Sequence, residues 1–250
     1  MTVRHKNCLQ EKTVKGWQEH QLHALQTISS DSQLFELVVS IVHSLGFDHC
    51  SYGLRMPLPV SRPKVVLLTN YPRAWEERYK KKGYVAVDPT VRHGTRSLQP
   101  VVWSDTFFAS NRDFWEEARS FGLRFGWAQS SRDVNSTMGM LSVSRSGEPI
   151  SEIELRDKEI NLAWLTQMAH LGMSRILTAK LMPAATAPLT DREIQVLRWT
   201  ADGKTASEIA DILNISERTA NFHIANAITK LNAPNKTAAV IRAGMLGMLG

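Results

Sequence analysis

Thr205-Ala-Ser-Glu-Ile-Ala-Asp-Ile-Leu-Asn-Ile-Ser-Glu-Arg-Thr-Ala-Asn-Phe-His-Ile-Ala-Asn-Ala-Ile-Thr-Lys-Leu231 decides how the C-terminal part of this chain folds. Thr205 and Glu208 have capping-box spacing: the hydroxyl accepts from the third helical amide, and the glutamate reaches back to the cap amide. Ile209, Ile212 and Leu213 give this helix an apolar stripe. Asn214 and Ile215 make a turn, and Ser216 caps a second helix with Ala220, Ile224, Ile228 and Leu231 on one side. Upstream, Thr190-Asp-Arg-Glu193 repeats the capping box, and Gly203 ends its helix in a left-handed turn. Downstream, Pro234 breaks the chain and Asn235 caps a last helix. The segment therefore predicts four short helices, with the middle pair laid out as a helix-turn-helix.

The surface of the second helix is unusual. On a 100° wheel Ala220, Ile224, Ala227, Ile228 and Leu231 cluster within about 100°, the core face. The other face holds Arg218, Asn221, Phe222, Ala225, Asn226 and Thr229. An ordinary surface helix would carry Lys/Glu pairs there. Short polar residues and one aromatic suit close approach in a major groove, where Asn can bond an adenine edge and Phe or Ala can touch a thymine methyl. The capped N-terminus favours a phosphate, as do Arg218 and the nearby Lys204. Three-helix packing modules share the periodicity, so pattern alone leaves a DNA-reading and a purely packing role both open.

Charge narrows the reading. The 250 residues carry a net charge of +6 with 43% hydrophobic and 22% charged residues, ordinary for a globular protein with an anionic partner. From residue 190 onward, however, seven Lys/Arg (Arg192, Arg198, Lys204, Arg218, Lys230, Lys236, Arg242) face six Asp/Glu (Asp191, Glu193, Asp202, Glu208, Asp211, Glu217), a net of +1. A segment so weakly basic binds DNA weakly as one copy, and two copies are expected to cooperate. No apolar run approaches the roughly 18 residues of a membrane span. The start lacks a signal-peptide core, and Cys8 and Cys50 form neither a disulfide framework nor zinc spacing. A cytoplasmic location is the expectation.

The rest of the chain mixes helices and strands. Residues 17–28 predict a helix, and Asp31 is expected to cap another with Leu34, Phe35, Val38, Ile41, Val42 and Leu45, stopped by Gly46. Cys50, Tyr52, Leu54 and Met56 alternate with Ser51, Gly53 and Arg55, a half-buried strand. Lys64 to Thr69 predicts a second strand, and Pro72 starts a helix to about Lys82. Asp88-Pro89 opens another helix, and Asn111 to Ser120 forms a short one. Strands follow near 124–131 and 138–145, joined by a hairpin turn over Asp133–Thr137. Ser151 caps a long helix, about 151–178, with Ile153, Ile160, Leu162, Leu165, Met168, Ala169, Leu171 and Ile176. The expectation is an α+β fold: an N-terminal α-β-α sandwich on an antiparallel sheet over residues 1–178, and an all-α four-helix domain over 189–250. Residues 179–188, with Pro183 and Pro188, form an extended linker.

At this point the residues reach a resemblance. Leu189-Thr-Asp-Arg-Glu193, Trp199-Thr-Ala-Asp-Gly-Lys204, Ile215-Ser-Glu-Arg-Thr219, Phe222-His223 and Lys230-Leu-Asn-Ala-Pro-Asn-Lys236 resemble the LuxR-type helix-turn-helix. Ala220 departs from the family's usual Val. Tyr71-Pro-x-x-Trp75-x-x-x-Tyr79, Val87-Asp88-Pro89, Val102-Trp103, Glu117-Ala-Arg-x-x-Gly-Leu123, Gly126 and Leu141-Ser142 resemble the autoinducer-binding domain of LuxR-type quorum-sensing receptors. The resemblance implies a transcription regulator that binds an N-acyl-homoserine lactone and reads a palindromic promoter element as a homodimer on double-stranded DNA, with no cofactor or metal. It implies DNA contacts from Lys204, Thr205, Ser216, Arg218, Thr219, Asn221, Phe222, His223, Ala225, Asn226 and Lys230. The last helix, through Ala239, Val240, Ala243 and Leu246, is implied to pair two DNA-binding domains.

The same resemblance implies that Trp75 donates to the lactone carbonyl, Asp88 accepts from the ligand amide, Tyr71 and Ser142 bond the acyl carbonyl, and Trp103 packs on the lactone ring. Tyr79, Val91 and Phe107 or Phe108 are implied to line the apolar part. Spacing alone reads Tyr71, Trp75 and Tyr79 as a core stripe and Asp88 as a helix cap. Ser51 is either a further polar contact or an ordinary strand serine.

Other constellations carry little. His20/His23 and His43/His49 lack carboxylate or cysteine partners at metal spacing. Neither Gly-x-Ser-x-Gly nor His-Glu-x-x-His occurs. Arg78-Tyr-Lys-Lys-Lys82 reads as a solvated helix end at its negative pole. A lactone-processing enzyme would need a histidine placed to activate Ser142, and no motif provides one. A phosphorylated receiver domain needs acidic residues at early strand ends, which Asp48 to Met56 does not offer. A regulator answering to another ligand, or to none, keeps the same fold.

Overall fold

The computed structural model describes residues 27–181 and 188–249. The helix expected over 17–28 falls almost wholly outside the described residues, as do positions 182–187 of the expected linker, Cys8, His20 and His23. The chain divides into two compact units, one built on a sheet and one on the last four helices.

The first unit runs α1 (Asp31–Ser44), β1 (His49–Arg55), β2 (Val65–Thr69), α2 (Arg73–Lys82), α3 (Pro89–Gly94), β3 (Val101–Val102), α4 (Arg112–Ser120), β4 (Phe125–Arg132), β5 (Met138–Arg145) and α5 (Glu152–Leu181). The sheet order is β2-β1-β5-β4-β3, and every pairing is antiparallel. The expected α+β layering is therefore present. The two-residue β3 escaped sequence reading because a strand so short shows no alternation.

Alternation sorts the sheet into two unlike faces. Cys50, Tyr52 and Leu54 of β1, with Leu141 and Val143 of β5, are fully buried. They face the layer of α1 and α5, where the Tyr52 hydroxyl and His170 Nδ1 of α5 hydrogen-bond at 2.9 Å. A Cβ at Gly139 would stand 2.3 Å from His170 Nδ1 and 2.5 Å from the Tyr52 hydroxyl, so glycine permits that contact. The opposite face carries Ser51, Gly53, Ser142 and Ala128, side chains too small to fill the space beneath α2, α3 and α4.

Three local expectations shift. Ser30, in extended conformation, occupies the cap position of α1, and Asp31 lies in the first turn, where its charge still favours the helix dipole. Pro72 is the cap residue of α2 rather than its first helical residue. On α5, Leu162, Leu165, Met168, Ala169 and Ile176 are buried as expected, whereas Ile153, Ile160 and Leu171 are 75%, 73% and 45% exposed. At 100° per residue these three fall within about 20° of one another and opposite the buried set, so apolar identity did not indicate the packed side.

The second unit comprises α6 (Asp191–Ala201), α7 (Ala206–Leu213), α8 (Glu217–Lys230) and α9 (Lys236–Met245). Both capping boxes form, at Thr190/Glu193 and Thr205/Glu208. Asn214 takes the left-handed conformation (φ 53°) that turns α7 into α8, and Gly203 (φ 85°) ends α6. The Ser216 hydroxyl accepts from the Thr219 amide at 3.0 Å, and Asn235 caps α9 through the Ala238 amide at 2.9 Å. Val196, Ile209, Ala210, Ala220 and Ile224 form one core, and Leu197, Ala227, Leu231, Ala239 and Ala243 a second.

Candidate functional site

A cavity of about 550 Å³ opens between the small-residue face of the sheet and the aromatic layer of α2–α4. That is within the usual range for a small-molecule site. Strand register orders its floor in three rows. Ser51 pairs with Thr69 and Ser142, Gly53 with Leu67 and Met140, and Arg55 with Val65 and Met138. All nine residues line the cavity. The floor thus passes from a hydroxyl row, through an apolar row, to an outer row holding one charge.

The roof is aromatic. Trp75, Phe108, Phe114, Trp115 and Leu123 form a buried cluster, with Tyr71, Tyr79, Tyr84, Trp103 and Phe121 packed against it. Trp75 has ring centroids of Tyr79, Tyr84, Phe114 and Phe121 within 5.5–5.8 Å. Trp103 lies flat on the backbone of β4, where a Cβ at Gly126 would come within 2.4 Å of its ring. This close approach explains the glycine.

The polar groups converge at one place. Asp88 caps α3, its Oδ1 accepting from the Thr90 amide at 2.8 Å and the Thr90 hydroxyl at 2.6 Å. Oδ2 accepts from the Tyr79 hydroxyl at 3.0 Å. Burial raises the Asp88 carboxyl above its usual value, and the bonds from Thr90 and Tyr79 oppose that rise. A buried carboxylate oxygen accommodates more than one donor, so Oδ2 can take a second N–H. The Tyr71 hydroxyl is buried with only the Ser144 hydroxyl nearby as a weak protein partner, and burial holds its phenol well above the usual range, so it remains a donor. The Trp103 indole N–H is buried without a partner. One cavity therefore presents an acceptor of high electron density beside largely unspent donors.

The structure brings together Tyr71, Trp75, Tyr79, Asp88, Val91, Trp103, Phe108, Ser142 and Ser51 as cavity lining. Phe107 is not among them: it packs edge-on against Phe108 at 5.0 Å and against His93 at 6.0 Å. Of the alternatives Phe107 or Phe108, the cavity takes Phe108. Thr90, Gly53, Leu67 and Met140 were missed. Thr90 follows the Asp88-Pro89 helix start and was hidden behind its cap reading; the others follow from carrying the strand alternation across to the cavity side. Among the described residues no group of three or more His, Cys, Asp or Glu is placed to hold a metal ion.

On the second unit, Asn221, Phe222, Ala225 and Arg218 of α8 are exposed, Phe222 by 61%, and His223, Asn226 and Thr219 are partly exposed. Thr205 and Ser216 cap their helices. Lys204 pairs with Glu208 at 3.6 Å at the start of α7. Lys230 sits differently. Its ammonium donates to Glu193 Oε2 at 2.8 Å and to the Pro188 carbonyl at 3.2 Å. It is thus drawn toward the capping box of α6 and away from the exposed face of α8. Burial would raise the Glu193 carboxyl, but Lys230 and the Thr190 amide outweigh it and hold it below the usual value. The implied pairing face of α9 also changes: Ala239 and Ala243 are fully buried in their own unit, and Ile241, 42% exposed, lies on the opposite side.

Comparison with known proteins follows this division. The family model of the autoinducer binding domain matches residues 30–173, and that of bacterial regulatory proteins of the luxR family matches residues 187–243. The transcriptional activator protein AnoR of Acinetobacter nosocomialis is 48% identical over 238 residues, 94% of this chain and 100% of that protein. The quorum-sensing regulator RhlR of Pseudomonas aeruginosa is 39% identical, over 93% of this chain and 96% of that protein. The crystal structure of Escherichia coli SdiA superposes with a TM-score of 0.82 at 33% identity, covering 95% of this chain and 99% of that one. SdiA in complex with octanoyl-rac-glycerol superposes with a TM-score of 0.80 at 34% identity, covering 94% and 96%.

Proposed function

The chain belongs to the LuxR family of autoinducer-binding transcriptional regulators of quorum sensing, and on that premise we propose that its cavity takes an N-acyl-homoserine lactone and that two copies read a palindromic promoter element. The observation that carries the ligand assignment is a buried Asp88 carboxylate and a buried Tyr71 hydroxyl with at most a weak Ser144 contact, both lining one cavity. An acyl-homoserine lactone offers an amide N–H for the first and a carbonyl for the second, and an unpaired buried charge is costly. Ser142 adds a donor to the acyl carbonyl, Trp75 donates to the lactone carbonyl, and Trp103 covers the ring. The acyl chain takes the apolar remainder.

Gating follows from mass action. A ligand that satisfies buried groups stabilises the folded sensor and with it the paired state. A single α8 is a weak reader at the unit's net charge, so two recognition helices about one DNA turn apart are needed. Ile153, Ile160 and Leu171 on one side of α5, with Ile241 on α9, are apolar surface suited to a second copy. Among the described residues no helix is long and apolar enough to cross a membrane, and the reading places the protein in the cytoplasm with its DNA.

A second ligand reading has one observation behind it, the relative SdiA in complex with octanoyl-rac-glycerol. A monoacylglycerol has the same tail but gives Asp88 a hydroxyl in place of an amide. Producing the full chain with equal N-octanoyl-homoserine lactone and octanoylglycerol, then identifying the retained compound by mass spectrometry, separates the two. Recovery of the lactone supports the proposal. Recovery of glycerol ester alone, or of neither, contradicts it.

A further inference from the structure

The three rows of the cavity floor give it a direction, and the geometry points to a defined acyl-length ceiling with Gly53 as the residue that sets passage toward it. This inference rests on the lactone reading and names the chain length that the site prefers.

The hydroxyl row lies at the Tyr71 end, where the Tyr71 amide donates to Thr69 Oγ1 at 3.0 Å. The apolar row of Gly53, Leu67 and Met140 comes next, and the outer row of Arg55, Val65 and Met138 last. Burial falls along the edge strand: Leu67 is 41% exposed and Val65 52%. The lining also includes the exposed Lys80, Gly83 and Val85, with Lys80 paired to Glu76 at 2.6 Å. Exposed Arg55 and Val65 therefore make a charged, wetted rim on the β1–β2 side of the outer row, while Met138 stays buried, and the cavity is not sealed at that end.

An acyl carbonyl held at the hydroxyl row sends its tail along β1. From Ser51 to Arg55 is four residues, about 13 Å at roughly 3.3 Å per strand residue. An extended alkyl chain advances about 1.25 Å per carbon for C–C bonds of about 1.5 Å. The tail therefore reaches the rim about ten carbons beyond the carbonyl, in an undecanoyl to dodecanoyl chain. Up to that length each methylene is buried and tightens binding about fourfold. Beyond it, added carbons lie against water and charge, and the gain stops.

Gly53 controls the midpoint. Its backbone is not in the left-handed region, and a Cβ there would meet only Leu67 Cδ1 at 3.9 Å, ordinary contact. The position accepts a side chain without strain, and a β-branched residue suits the strand. The glycine is thus not required by the fold; its effect is to leave the middle of the channel open. A valine there stands about five carbons from the acyl carbonyl, again at roughly 3.3 Å per residue.

The test measures binding of the full chain to homoserine lactones with butanoyl, hexanoyl, octanoyl, decanoyl, dodecanoyl and tetradecanoyl tails, by equilibrium competition and by soluble yield during expression. Wild type should tighten to about dodecanoyl and then level off. Gly53→Val should keep butanoyl binding within about twofold and weaken decanoyl by tenfold or more. Leu67→Trp, at an exposed edge position, should do the same from the facing strand, so the result does not hang on one variant. Continued tightening through tetradecanoyl, or equal losses for butanoyl and decanoyl in both variants, would overturn the length inference while leaving lactone binding intact. Failure of every lactone to bind wild type would instead remove the lactone reading itself.

Discussion

The Tyr79 hydroxyl donates to Asp88 Oδ2 at 3.0 Å, so the residue that holds the buried carboxylate also forms the cavity wall beside it. Tyr79→Phe keeps the ring packing against Trp75 and Tyr84 and removes only that donor. A hydrogen bond to a charged group contributes about 1.5–3 kcal/mol. The ligand-free variant should melt at a lower temperature, and lactone affinity should fall about tenfold or more in calorimetric titration, because Asp88 Oδ2 is no longer held toward the cavity. Unchanged affinity would show that Asp88 needs no support from Tyr79.

Asp88 also makes a pH prediction. Its folded pKa is raised by burial above the usual 3.8. A raised carboxyl favours the folded state at low pH, and that contribution is lost as pH rises through the folded value. Asp88→Asn does not titrate. Without lactone, the melting temperature of Asp88→Asn minus that of wild type should therefore grow as pH rises from about 4 and level off above the raised pKa. Saturating lactone should shrink the difference, because its amide offsets the charge. A difference independent of pH would contradict an ionised, buried Asp88.

Gly126 and Trp103 are in van der Waals contact that no larger residue allows. Gly126→Ala places a methyl within 2.4 Å of the indole. Overpacking of this kind costs about 1–3 kcal/mol. The ring must move into the cavity, so lactone affinity should drop at least tenfold. Trp103 fluorescence that stays at its wild-type wavelength would argue against the displacement.

The Glu193–Lys230 pair predicts a split between stability and recognition. The Lys230 side chain is 24% exposed and that of Glu193 3%. Lys230→Met leaves a buried carboxylate without its cation and should destabilise the DNA-binding unit by about 1–3 kcal/mol, below the fully buried case because Lys230 reaches solvent. Glu193 has a lowered pKa, so its contribution is present above the usual 4.5 and lost as pH falls below it. The melting difference between wild type and Lys230→Met should accordingly narrow in acid. The slope of DNA affinity against salt should stay within about one ion of wild type.

Asn221→Ala, on the exposed face of α8, should behave in the opposite way. On the proposed reading of α8 as the recognition helix, it removes a base-edge contact and leaves the phosphate contacts. Specific binding should weaken by about 1–3 kcal/mol while random-sequence binding holds. Equal losses on both would sink the base-reading role of Asn221.

Much of this was legible in the sequence because it depends on local rules. Capping boxes at Thr190 and Thr205 and the left-handed Asn214 are written into single residues, so the helices of the second unit could be placed closely. The alternation of β1 likewise gave its buried face. What the sequence hid was relational. Nothing local shows that Ile153, Ile160 and Leu171 lie away from the sheet, because helix periodicity places a stripe but not the side that packs. Ala239 and Ala243 read as an apolar face free for pairing until Leu197 and Leu231 are seen to cover it. Lys230 carries a charge suited to phosphate, and its ion pair with Glu193, distant in sequence, has no local signature. The three-row floor needs the β1–β2 and β1–β5 registers, and pairing partners are not set by one strand alone.

The central claim is that Asp88 receives the amide of an acyl-homoserine lactone. Calorimetric titration of the full chain with N-octanoyl-homoserine lactone, for wild type and Asp88→Ala side by side, tests it most directly. Wild type should show saturable one-to-one binding. In a variant whose circular dichroism is unchanged, affinity should fall at least about tenfold, the loss expected for a hydrogen bond to a charged group. Equal affinity in the two proteins would contradict it.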